Sequence, residues 1–334
     1  MAEGSRRLKG RSRRVIDRIA RPYVQELQAS LEATQQLVET AQRSIEALHG
    51  DLGRVHEELQ QVHGRAERIE LDAQRTAGIA RHAYDEEPAN RRRLHALRAS
   101  EEYELAFTES EPLVSFLIPT YTSYETLRDV ALPSILGQTY SNLEVIVVGD
   151  CAPPETEEAI ASIGDSRVSY LNRTVRGPYP EDPSRRWYVV GTPPYNEALS
   201  RARGRWIAGL GDDDAVRPNH TELLLATAQE HRYEHCYGLQ LVKFAEGEPM
   251  RLGKFPPELG EWGLQAALFH GGLRFFESEL SDAIYGEPND WSMCRRMLRA
   301  GVSFGMVDEI VVDKLETRRH SAEEWDEGSV PRVD

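Results

Sequence analysis

From Val24 to Ala83 the small and apolar residues step by three and four without interruption: Val24, Leu27, Leu31, Thr34, Val38, Ala41, Ile45, Leu48, Leu52, Val55, Leu59, Val62, Ala66, Ile69, Ala73, Thr76, Ala80 and Ala83. This spacing keeps one side chain in every half-heptad on the same helix face, and it persists for nearly nine heptads. A lone helix would leave that stripe in water, so the pattern predicts a coiled coil over 23–86, preceded by a basic tail over 1–22. Gly50, Gly64 and Gly78 fall at outer f positions and Gly53 at b, so the a and d seam contains no glycine. Each glycine still costs the helix about 0.5–1 kcal/mol, which makes a partner helix the stabilising element. Val, Leu and Ile at a, with Leu or Val at d, favour a parallel homodimer; the alanine-rich end after Ala66 predicts a narrower seam. At ~1.5 Å per residue the rod would extend roughly 90 Å. His49, His56 and His63 all lie at e, about 10 Å apart along the helix, too distant for one metal ion and read as flanking polar residues.

The chain has 334 residues, 40 Lys+Arg against 55 Asp+Glu and a net charge of -15, a poor match for general nucleic-acid binding, which needs a positive excess. Eight basic residues nevertheless fall within the first 21 positions, between Arg6 and Arg21. That head fits either a solvated terminus or contact with a polyanionic partner or, peripherally, with an anionic membrane surface, where each basic residue contributes about 1 kcal/mol. No apolar run approaches the ~18 residues of a membrane span, and no apolar stretch follows the basic start as in a signal peptide. Cys151, Cys236 and Cys294 form no metal pair or disulfide framework, and the expectation is a cytoplasmic protein, with any membrane contact at the inner face.

Pro88 disfavours helix at the residue before it, ending the heptad pattern, and 87–110 reads as a short charged helix and linker. The texture then changes. VSFLIPTY, a helix through TLRDVALPSIL, NLEVIVVGD and a helix around ETEEAIASI alternate as in a βαβ sheet. Ligands of such sheets bind beyond the carboxyl ends of strands, which gathers Pro119, Thr120, Tyr121 and Asp150 at one crevice. The sequence lacks G-x-G-x-x-G after a strand, the P-loop pattern and G-x-S-x-G, which lowers oxidoreductase, P-loop NTPase and serine hydrolase readings.

A third strand, WIAGL, runs into Asp212, Asp213 and Asp214, with Pro218 at a helix start. A surface Asp run is commonly a turn or a helix cap. At a strand end, a divalent cation shared with a diphosphate would relieve the mutual repulsion, and hard oxygen ligands favour Mg2+ or Mn2+ over zinc. Asp290 lies in GEPNDWSMCRRMLRAG, where Asn289 or Asp290 begins an amphipathic helix; helix cap and general base both fit that position.

Taken together, VSFLIPTY, QTYSNLEVIVVGD, the A-x-G before WIAGLGDDD, HGGLRFF, EPNDW and RRH resemble, in order and spacing, the motifs of the family 2 glycosyltransferases of the GT-A fold, over roughly residues 111–320. The resemblance implies a GT-A nucleotide-sugar-binding mixed sheet flanked by helices over 111–334. Pro119, Thr120, Tyr121 and Asp150 would hold the nucleotide base, with Asp212 and Asp213 on the donor. Asp214, Asp212 and His320 would hold Mn2+ or Mg2+, Asp290 would be the general base, and Glu287 and Trp291 would shape the acceptor side. Gly149 and Gly211 stand where the family commonly has acidic residues, and Tyr195-Asn196 where it often has Arg-Asn. The implied function is inverting, metal-dependent transfer from a nucleotide-diphospho-sugar, a UDP-sugar favoured, to a glycan, lipid-linked or protein acceptor in glycan or polysaccharide biosynthesis. One rival is a non-catalytic coiled-coil scaffold with a glycan- or nucleotide-sugar-binding domain. A nucleotidyltransferase is the other, but the glycine-rich basic loop that would hold its triphosphate is absent after Thr120.

Overall fold

The computed structural model describes residues 3–81, 84, 86–244 and 247–315, with side-chain surroundings described from residue 21 onward. The chain divides into two compact units, Met1–Glu70 and Leu71–Asp334. Helix α1 runs from Glu3 to Arg81, as the three-and-four spacing requires, so the expected boundary at residue 22 leaves no break in secondary structure. Its seam is wet along the single chain: Leu27 is 71% and Leu52 66% exposed. Among the described residues, no helix is long and apolar enough to cross a membrane.

In the second unit, 87–110, read as a short charged helix and linker, holds two helices that pack on the core. Helix α2 (Glu87–Arg98) starts with Pro88 in its first turn, where the missing N–H has no helical partner to lose, and α3 (Glu101–Thr108) is capped by the Ser100 side chain. Leu94 joins the core on one face of the sheet, while Tyr103, Ala106 and Phe107 join it on the other. Arg98 closes a fork on the fully buried Glu234, with Nε and Nη2 at 2.6 and 2.7 Å from the two carboxylate oxygens. The Tyr103 hydroxyl and the Ser303 amide also donate to that carboxylate.

The runs VSFLIPTY, TLRDVALPSIL, NLEVIVVGD, ETEEAIASI and WIAGL form the strands and helices expected of them, and further elements lie between and after them. Strand β1 (Val114–Thr120) leads to α4 (Tyr124–Thr126), which continues through one π turn (Leu127–Ala131) into α5 (Leu132–Leu136). Next come β2 (Leu143–Gly149), α6 (Pro154–Ile163), β3 (Val168–Asn172), α7 (Pro183–Arg186), α8 (Thr192–Arg201) and β4 (Trp206–Gly209). The chain proceeds through β5 (Ala215–Val216), α9 (His220–His231), β6 (His235–Lys243), β7 (Met250–Leu252) and β8 (Ala267–His270). It closes with α10 (Asp282–Tyr285), α11 (Asn289–Ala300) and β9 (Phe304–Leu315). Among the described residues, nine strands form one mixed sheet in the order β3-β2-β1-β4-β8-β6-β9-β5, with β7 pairing on β6.

Period-two alternation makes both faces of this sheet apolar. Phe116, Ile118, Val145 and Val147 pack toward α5 and α9, while Leu117, Ile146 and Val148 pack with Leu199 of α8 and Met293 and Met297 of α11. The register then positions the site. Thr120 is level with Gly149, and Leu117 with Gly209, so both neighbouring strands deliver their next residues to the carboxyl end of β1.

Candidate active site

Continuing β4 beyond Gly209, the Leu210 amide still bonds to the Leu117 carbonyl at 3.0 Å, and three residues past the last register pair Asp212 reaches Thr120. The Thr120 Oγ1 hydroxyl donates to Asp212 Oδ2 at 2.7 Å. On the other side, the Asp150 amide donates to the Thr120 carbonyl at 2.9 Å. Cys151 then takes a left-handed conformation, φ 59°, and Asn172 pins the turn by bonding both the amide and the carbonyl of Ala152.

These strand ends open into a cleft of about 670 Å3. Pro119, Thr120, Tyr121, Asp150, Asp212, Asp213 and Asp214, all expected at the site, line it together. The cleft also carries three cations that the motif reading did not single out: Arg176, Arg186 and Lys314. Arg176 lies 4.1 Å from the centre of the Tyr121 ring, within cation–π range. The Asp150 carboxylate accepts from Arg173 at 2.7 Å, from the Gly177 amide at 3.1 Å and from the Tyr179 hydroxyl at 2.6 Å. Burial, helped by that carboxylate, holds the Tyr179 phenol in its protonated form far above its ordinary range. The signal for this wall was the arginine-rich stretch RTVRGPYPEDPSRR after β3. Trp187 lines the cleft while 38% exposed, whereas Tyr195 is buried.

Gly211 explains how the carboxylates gather. A methyl group there would meet Asp214 Oδ2 at 2.9 Å and Asp213 Oδ1 at 3.1 Å, so the two side chains approach one point across the space that an acidic residue at 211 would fill. Among the described residues no group of three His, Cys, Asp or Glu side chains could hold a metal ion by itself. Two carboxylates are nevertheless a sufficient protein contribution for Mg2+ or Mn2+ when substrate phosphates and water complete the sphere. His320, with Arg318 and Arg319, lies outside the described residues.

Asp290, Glu287 and Trp291 are not among the residues that line the cleft, although Asp290 interacts electrostatically with Lys314, which does line it. Asp290 is the second residue of α11, half-buried, and its Oδ1 accepts from the Trp291 amide at 2.7 Å. Pro288, not Asp290, occupies the N-cap. Burial raises the Asp290 carboxyl above its ordinary range, opposed by the Trp291 amide and by the charge of Lys314, a cleft residue. Glu287 is held in a two-bond fork by Arg295, at 2.9 and 2.6 Å, and Trp291 packs half-buried against the core. Of the pair that stands where the family often has Arg-Asn, Tyr195 is buried, and Asn196, the residue in common, exchanges two hydrogen bonds with the Ser278 backbone, at 2.8 and 3.0 Å.

The pattern described as Glycosyl transferase family 2 matches residues 115–179 and 194–299, just over half of the chain. The chain belongs to glycosyl transferase family 2. Its sheet, mixed and flanked by helices, is the architecture that the GT-A resemblance implied. This family 2 chain is 35% identical over 119 residues to the succinoglycan biosynthesis protein ExoO of Rhizobium meliloti, a match covering 35% of this chain and 30% of that protein. It is 30% identical over 127 residues to the Escherichia coli enzyme named UDP-Glc:alpha-D-GlcNAc-diphosphoundecaprenol beta-1,3-glucosyltransferase WfgD, covering 38% and 45% of the two chains. The matched stretches thus span less than half the length of either relative. Among solved structures, S. aureus TarS in complex with UDP superimposes with a TM-score of 0.48 at 17% identity, covering 64% of this chain and 62% of that one.

Proposed function

We propose that this protein is an inverting glycosyltransferase that moves a sugar from a nucleotide-diphospho-sugar, most simply a UDP-sugar, to a hydroxyl of a glycan or lipid-linked acceptor. The observation that carries the reading is the convergence of Thr120, Asp150 and Asp212–Asp214 on one cleft at the carboxyl ends of parallel strands. Family membership and the acceptor named for the E. coli relative support the substrate class.

In this reading the Tyr121 face and the Asp150 side of the cleft receive the base, while Arg186 and Lys314 offer positive charge to the diphosphate. Asp213 and Asp214, with Asp212 beside them, would hold Mn2+ or Mg2+, which when bound supplies charge to the departing diphosphate. Asp290 takes the proton of the acceptor hydroxyl as its oxygen forms the bond to the anomeric carbon and the bond to the diphosphate oxygen breaks. A single base opposite the leaving group gives in-line attack and inversion. In its ionised form, a carboxyl whose pKa is raised by burial is a stronger base than an ordinary one.

The rod pairs with a second copy of this chain through its exposed a and d side chains, and the basic head supplies contact with an anionic surface. The direct test of the donor reading is thermal stabilisation by a panel of UDP-, GDP- and dTDP-sugars with Mn2+. Saturation at 100 times Kd stabilises by about 2.7 kcal/mol. Stabilisation by one nucleotide class, reduced by chelator, is the expected result; none by any member of the panel overturns the proposal. Binding without turnover of any acceptor would favour the scaffold reading.

A further inference from the structure

The last turns of α1 present two different faces. Gly78 is buried and Leu71 and Gln74 are half-buried, a spacing of three and four that defines one side of the helix. The seam residues of the same turns, Ala73, Thr76 and Ala80, stay exposed. The covered side consists of the f and b heptad positions and belongs to the unit that begins at Leu71.

What covers it is the chain just before the proposed base. A Cβ at position 78 would meet Tyr285 Cε1, Cζ and Cδ1 at 1.8, 2.1 and 2.3 Å, so the ring lies directly against the helix backbone and only glycine admits it. One turn earlier, Arg75 Nη2 donates to the Gly286 carbonyl at 3.3 Å. Tyr285 ends α10, and Gly286, at φ 62°, makes the left-handed turn that redirects the chain into Glu287, Pro288, Asn289 and Asp290. The inner side of that turn is fastened independently: the Glu287 amide bonds to the Asp282 carbonyl, Arg295 grips the Glu287 carboxylate, and Ser292 Oγ donates to Asp282 Oδ1.

We infer that Leu71–Arg81 is a positioning element of the active site: Gly78 and Arg75 clamp Tyr285–Gly286 from outside and thereby fix the start of α11, where Asp290 stands. The inference rests on the proposed function for the role of Asp290, but the clamp has a consequence that is independent of it. The f glycine at 78 has a docking use, distinct from the partner-facing use of the seam on the same turns. Assembly and acceptor-side geometry are therefore carried by adjacent faces of one short segment.

The test compares the full chain with Gly78→Leu, Arg75→Ala and Arg75→Lys. Hydrogen exchange over 284–291 reads the clamp without any assay of activity: Gly78→Leu and Arg75→Ala are expected to speed exchange there at least about fivefold, and Arg75→Lys, which keeps a donor, to leave it near wild type. In turnover, a base displaced by about 1 Å costs up to about 100-fold. Acceptor kcat/KM should therefore fall at least about tenfold in the first two variants, while nucleotide-sugar binding stays unchanged. Unchanged exchange, or unchanged acceptor kcat/KM, overturns the inference. If Gly78→Leu does not fold, Arg75→Ala decides it by the same two readings. Failure of the wild type to bind or turn over any nucleotide sugar would sink the proposed function, and the exchange comparison would still decide the clamp.

Discussion

Thr120 Oγ1 donates to Asp212 Oδ2 at 2.7 Å, joining two side chains 92 positions apart in sequence across the carboxyl ends of neighbouring parallel strands. Through this bond the end of β1 sets the position of the acidic run, so Thr120 does more than line the cleft. Thr120→Val keeps the shape and removes the donor. A hydrogen bond to a charged group contributes about 1.5–3 kcal/mol, so nucleotide-sugar affinity is expected to fall at least about tenfold by calorimetry. Unchanged affinity would show that Asp212 is placed by its other contacts.

Asp290→Asn should retain donor binding while lowering turnover by about 100-fold or more, because loss of a general base removes stabilisation made in the transition state. The sign with pH follows from the raised carboxyl. Activity needs the ionised form, so kcat/KM should rise with pH through a value above the ordinary carboxylate range of about 3.9 and be lost below it. A pH–rate profile of the wild type checks this; a rising limb at the ordinary value, or near-normal turnover of the variant, contradicts the assignment.

Asp282 is fully buried beneath the same loop, and desolvation pushes its carboxyl up to about 7. A raised folded-state value means that the native protein holds a proton which the unfolded chain has already released. The stabilising contribution is therefore complete below about 4 and is lost as pH rises through about 7. Asp282→Asn should flatten this slope, which denaturant titrations from pH 5 to pH 8 would read. A slope identical to that of the wild type would assign the dependence elsewhere.

Much of the sheet was legible because β1, β2 and β4 are short apolar runs ended by Pro, Gly or Asp, and α11 is amphipathic. In 87–108 one charged helix was legible, but the second helix and the docking of both were not: the Arg91–Arg93 run and Glu101-Glu102 mask the isolated apolar positions Leu94, Tyr103 and Phe107. The tie from Arg98 to Glu234 spans 136 positions and has no local signature. In the cleft, strand-end residues were readable from the βαβ rhythm, but Arg176, Arg186 and Lys314 arrive from a loop, the end of α7 and a distant strand, which spacing does not report. Gly78 and Gly211 fit their heptad and motif patterns as bare absences; their close approaches to Tyr285 and to the two carboxylates exist only in three dimensions.

Leu52 occupies an a position and is 66% exposed on the single chain. Leu52→Glu would set two carboxylates against each other in a parallel dimer and is expected to convert it to monomers in light scattering. The clamp at Gly78 also moves the useful truncation point. A chain beginning at Leu71 should be monomeric with the melting temperature of its second unit retained, whereas one beginning at 89 should melt several degrees lower, as a loss of about 1 kcal/mol does in a domain of this size. A dimeric Leu71 chain would place the interface in the second unit.

Glycosyl transfer supported by the Asp212–Asp214 run is read by release of nucleoside diphosphate from a nucleotide sugar, with and without candidate acceptors, by the wild type and Asp214→Ala. Slow release by the wild type is expected, stimulated by the correct acceptor and by Mn2+ or Mg2+ and abolished by chelator, with Asp214→Ala inactive although folded. Release that persists at the wild-type rate in Asp214→Ala, or no release from any sugar donor under any metal condition, would contradict it.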